Sequence, residues 1–103
     1  MAVNNKSELF SALLRHQARL KQFGVRRCGV FGSFARGMQS DQSDVDILVE
    51  FEPGKKSFDN FMGLAFFLEE MMGRKVELVT PESLSPYIGP HILREVEYAS
   101  TGE

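Results

Sequence analysis

Tryptophan is absent from this 103-residue chain, and it has one cysteine and two histidines. A lone thiol can form no internal disulfide, which suits a reducing cytoplasm. Cys28 falls in an apolar run and reads as an inert core thiol. No Cys/His spacing fits a zinc site, and the phosphate-binding strings of the Walker and dinucleotide-binding folds are missing. A large excess of either charge is missing too: twelve Lys and Arg against fourteen Asp and Glu leave a net −2 and a pI near 5.7. A broad basic footprint for duplex nucleic acid is therefore lacking, which counts against a polymerase-like template partner. No segment approaches membrane-spanning length, and the N-terminus lacks an apolar signal core. There is no repeat, low-complexity tract or internal boundary. What remains is 43% hydrophobic with nine phenylalanines. That is enough for a single domain over residues 1–103 with a small core.

Ser7 is placed to cap a helix beginning at Glu8. Leu9, Phe10, Leu13, Leu14, Leu20 and Phe23 recur at helical spacing up to Gly24, a good stop, and read as core. Arg15, Arg19 and Lys21 fall outside that stripe, and His16 reads as solvent-facing. Val25 to Phe31 is a first strand with Arg26 and Arg27 as exposed flanking charge. Residues 52–56 form a turn. Ser57 then caps a helix over Phe58 to Met72, ended by Gly73. Its Phe and Met residues cover more than one face, so the surplus is either core or a partner patch. Lys75 to Thr80 is a further strand, and a strand–helix–strand connection of this length favours parallel, right-handed pairing with the strand before the helix. Pro81 to Pro86 reads as loop. Pro90 opens a short terminal helix with Ile92, Leu93 and Val96. His91 is expected to be exposed, Tyr87 and Tyr98 to pack or to touch a partner, and Ser100 to Glu103 to fray.

The functional stretch lies between. Gly32-Ser33 makes a tight turn after the first strand, Phe34-Ala35-Arg36 a helical turn ending at Gly37, and Met38 to Ser43 a polar loop that reverses the chain. Val45, Ile47, Val49 and Phe51 then alternate with Asp44, Asp46, Leu48 and Glu50, the pattern of a strand with one face buried and antiparallel to the first. Asp44 and Asp46 share the open face, roughly 6.5–7 Å apart, a spacing that lets two carboxylates share one or two hard cations. Glycine allows backbone to approach a ligand closely, and turn amides opening a helix favour anions. A phosphate cradle beside metal carboxylates is what a nucleoside triphosphate with magnesium requires. Arg36 can reach the same phosphates or bridge to the Asp41 loop. Asp41 itself reads as loop chemistry.

Gly32-Ser33, ten intervening residues and Asp44-Val45-Asp46 resemble the signature of the nucleotidyltransferase superfamily that includes DNA polymerase β. The fuller string through Gly37 and Ser43 to Val49 resembles its smallest members, the minimal nucleotidyltransferases, over most of the chain. The resemblance implies an α/β (α+β) fold: a small mixed sheet of three or more strands with helices mainly on one face. It implies that Asp44 and Asp46 hold one or two Mg²⁺ ions, that Gly32 and Ser33, with Arg36, seat the phosphates of ATP or another nucleoside triphosphate, and that a carboxylate in the third strand assists. Family members commonly have aspartate there. Glu77 is one methylene longer, and it can bind metal, take the acceptor proton or be merely solvated. The implied reaction moves a nucleoside monophosphate to a partner's hydroxyl. The family's prokaryotic members are typically antitoxins to HEPN-domain toxins, so a toxin tyrosine is the implied acceptor. Two other readings stay open: an antitoxin with a degenerate site that acts by contact, and a nucleotide sensor.

Overall fold

The computed structural model describes residues 2–99. Five helices and four strands follow in the order α1 (Lys6–Arg15), α2 (Gln17–Gln22), β1 (Val25–Phe31), α3 (Gly32–Arg36), β2 (Val45–Phe51), α4 (Phe58–Met72), β3 (Val76–Val79), a 3₁₀ turn (Pro81–Ser83), α5 (Gly89–Glu95) and β4 (Glu97–Tyr98). The strands form one mixed sheet in the order β3-β2-β1-β4. β1 is antiparallel to β2 and β4, and β2 is parallel to β3 across α4. The strand pairing expected from the sequence is therefore present, and the two-residue β4 is an addition to it.

One face of the sheet carries the core. Val30, Val45, Ile47 and Val49 are wholly buried against Leu9 and Leu13 of α1, Leu20 of α2, and Leu64, Leu68 and Met72 of α4. Cys28 is buried among them, and burial pushes its thiol up to about 12. Removing the apolar stripe of α4 from water is the main contribution of that helix. Ser57 Oγ accepts from the Asn60 amide at 3.1 Å, and Gly73, at φ +66°, closes the other end.

Several local expectations change. The first helix is capped by Asn5, not Ser7: Asn5 Oδ1 accepts from the Glu8 amide at 2.8 Å, while Glu8 reaches back to the Asn4 amide at 2.8 Å. The first bond satisfies one of the amides that a helix start leaves unpaired, and the second pins the residue before the cap. The helix breaks at His16, which is half-buried edge-on against Phe67 rather than solvent-facing. Leu14 is exposed instead of core, and of the two readings left open for the surplus on α4, Phe58 and Phe66 are exposed rather than buried. Arg27 is exposed as expected, and it also pairs with Glu50 at 3.0 Å and lies over the Tyr98 ring. Ser100 to Glu103 lie outside the described residues.

The second face of the sheet is open only in part. Leu48 lies on it yet is wholly buried. The 3₁₀ turn packs on β2, and beside Leu48 the bare Cα of Gly29 admits Val96 and Tyr98. The uncovered part is the end that carries Asp44, Asp46 and Glu77.

Candidate active site

Register builds this end of the sheet. Phe31 is paired with Asp46 across β1–β2, and Asp46 with Glu77 across β2–β3. Paired residues project to the same face, so Asp46 and Glu77 stand side by side. Asp44 precedes β2 by one residue and is exposed. Because Phe31 is opposite Asp46, the next residue, Gly32, lies beside the Asp46 side chain. A Cβ at Gly32 would collide with Asp46 Oδ2, and its φ of +75° is one that side-chain-bearing residues avoid. The glycine is therefore needed twice, for its backbone and for its missing side chain.

Asp46 is half-buried, and its carboxyl is pushed up to about 6. Burial is the largest cause, followed by the charges of Glu77 and Asp44, with Arg36 opposing and Glu95 adding a little. Two sequence-nominated acids, Glu77 and Asp44, thus act electrostatically on the third. Among the described residues, however, no three acidic, His or Cys side chains lie close enough to form a metal cage by themselves. Mg²⁺ is usually held by one or two carboxylates, with waters and substrate phosphates completing its shell. Exposed Asp44 and half-buried Asp46 offer such a hard-oxygen set, and a cation there would offset the charges of Glu77 and Asp44 that add to the effect of burial on Asp46.

Ser33 stands in the first turn of α3, where helix geometry leaves backbone N–H groups without an intrahelical acceptor. Gly37, at φ +72°, closes that helix. Arg36, on the last turn, is paired at 2.7 Å with Glu95 rather than with the Asp41 loop. Glu95 was not nominated by the sequence. Its second oxygen accepts from the Gly32 amide at 2.7 Å, and these two contacts hold its carboxyl below the usual range, the Gly32 bond most of all. No local pattern signals Glu95, because its partners lie 59 and 63 residues upstream. Arg74 was also missed. Its Nε donates to Val3 O at 2.6 Å, and its Nη1 to Ser40 O at 3.0 Å and Ser43 O at 2.9 Å. It thereby ties down the loop that leads to Asp44.

Comparison with known proteins points to one family. Residues 14–99 match the model of the nucleotidyltransferase domain family. The protein adenylyltransferase MntA of Thermococcus cleftensis is 44% identical over 99 residues, covering 95% of this chain and 99% of its own. A structure assigned as a minimal nucleotidyltransferase superposes with a TM-score of 0.80 at 30% identity, over 94% of this chain and 98% of its own. A toxin–antitoxin structure with AMP-PNP shares the fold at a TM-score of 0.68 and 20% identity, over 97% of this chain and 76% of that one.

Proposed function

The chain belongs to the nucleotidyltransferase domain family, as one of its minimal members, and from that premise we propose that it transfers AMP from ATP, with Mg²⁺, to a hydroxyl on a partner protein. The partner we favour is a HEPN-domain toxin, the acceptor one of its tyrosines, and the biological role that of an antitoxin acting in the cytoplasm. The reading is carried by one observation: the Asp46 carboxylate lies against Gly32, which brings the acid strand beside the turn proposed to seat phosphate. That the Thermococcus relative is a protein adenylyltransferase supports it further.

In this reading the Gly32–Ser33 turn offers the Ser33 hydroxyl and first-turn amides to the polyphosphate. Asp44 and Asp46 hold the metal. Arg36, engaged by Glu95, lends positive charge nearby rather than a direct phosphate contact. Glu77, exposed on the same face, is positioned to take the acceptor proton. The acceptor oxygen forms a bond to the α-phosphorus, the α–β bridging bond breaks, pyrophosphate leaves, and the hydroxyl proton passes to Glu77 or to water. Bound magnesium would neutralise charge developing between the attacking and leaving oxygens. In this reading the partner brings its hydroxyl to the uncovered end of the sheet, where Asp44, Asp46 and Glu77 lie.

The test is incubation with labelled ATP, Mg²⁺ and the product of the neighbouring gene. Label should stay on that partner after denaturation and vanish with Asp44→Asn or Asp46→Asn. A second reading, neutralisation by contact alone, draws support from the exposed Phe58 and Phe66 on α4. It gains if both Asn variants still neutralise the toxin without transferring label.

A further inference from the structure

Glu95 ends α5, and its carboxylate spans the phosphate turn. One oxygen accepts from the Gly32 amide at 2.7 Å and the other from the Arg36 guanidinium at 2.7 Å. The side chain is only 26% exposed. Charge-assisted bonds at both oxygens fix a carboxylate's orientation as well as its place. Such a group could do either of two things. It could stand in for phosphate and be displaced by the nucleotide, or it could be a strut that shapes the turn and stays.

Three observations favour the strut. The Gly32 amide belongs to the peptide whose φ of +75° lets Asp46 lie against the glycine, so Glu95 fixes the same backbone unit that seats a candidate metal carboxylate. Glu95 is already balanced by Arg36, which limits its repulsion of an incoming polyphosphate. It takes only the first amide of α3, leaving those of Ser33 and Phe34 at the helix start for a ligand. We propose that Glu95 is a positioning residue for nucleotide binding: through Gly32 and Arg36 it holds the turn in the shape that receives the polyphosphate. The proposal rests on the nucleotidyl-transfer reading above. It also makes α5 part of the site although no residue of that helix belongs to the sequence motif.

The probe is ATP with Mg²⁺, titrated calorimetrically into the wild type, Glu95→Gln and Glu95→Ala, with thermal melting alongside. Losing a hydrogen bond to a charged group should weaken MgATP about tenfold in Glu95→Ala. Glu95→Gln keeps an acceptor for the Gly32 amide and should return to within about threefold of wild type, since most of the loss follows that one bond. A merely structural role would lower the number of binding-competent molecules and the melting temperature while leaving Kd unchanged. Unchanged or tighter binding in Glu95→Ala overturns the proposal, the tighter result marking Glu95 as an occupant of the phosphate position. If wild type binds no MgATP at all, the transfer reading itself falls, and this role falls with it. Failure of Glu95→Ala to fold leaves the decision to Glu95→Gln, where a loss as large as tenfold at normal stoichiometry contradicts a role carried by the Gly32 bond.

Discussion

Gly32 meets two demands at once, a left-handed backbone and a flank bare enough for Asp46. Alanine fails both. The φ penalty alone is about 1–2 kcal/mol, and the added methyl must push the Asp46 carboxylate aside. Gly32→Ala should therefore lower stability by about that amount in urea titration, yet cut transfer far more than the lost stability explains. Equal losses in the two measurements would show that the contact has no functional part. Asp46 behaves in the opposite sense. Its folded carboxyl titrates at about 6, against 3.8 in the ordinary state. Between those values the folded chain holds a proton that the unfolded chain has released, so this group's contribution to stability falls as pH rises through that window. Asp46→Asn should abolish transfer yet stabilise the metal-free protein at pH 7 by about 1 kcal/mol, the figure being discounted because the carboxyl is half-exposed and screened. Below pH 4 the gain should vanish. A stabilisation equal at pH 4 and pH 7 in urea melts would mean that its charge is not the cause.

At the scale of elements, the connection from Ser57 to Val79 was legible because every signal is local: a serine cap, a continuous apolar stripe, a glycine stop, then alternation. The break at His16 was not, since neither glycine nor proline marks it, and Phe67, which packs there, is distant in sequence. β4 was not legible either, because its two residues pair only with Gly29 and Val30. Leu48 did carry a hint, an apolar residue among acids on the face read as open. The loop before Asp44 depends on Arg74, which follows the legible glycine stop by one residue. Its planar fork serves carbonyls from two separate segments and also lies over Phe34. Arg74→Ala should cost about 2 kcal/mol and raise amide exchange across residues 40–45. Lysine, a point donor, should restore little of either. Normal exchange in that loop would refute the tether.

On the scale of the whole molecule, the candidate site draws on contacts that run the length of the chain. Asp44 and Asp46 could be nominated from spacing and Glu77 from the family resemblance, while Glu95 and Arg74 act through partners that no local pattern names. Ligand binding at such a site should therefore register as global stability. Cys28 provides the readout. It sits on β1, one of the two inner strands, with its side chain in the main core and its thiol pushed up to about 12 by burial. A reagent that needs thiolate has no access short of an opening that dismantles the sheet. Labelling should thus be slow in buffer and accelerate with urea in step with global unfolding. A ligand that binds only the folded chain slows it by the factor 1 + [L]/Kd, so MgATP at a hundred times its Kd should slow labelling about a hundredfold. Asp44→Asn, which removes a proposed metal ligand, should lose most of that protection. Labelling that ignores urea would place Cys28 in a locally opening segment. Protection that survives Asp44→Asn undiminished would place the nucleotide somewhere other than the acid end of the sheet.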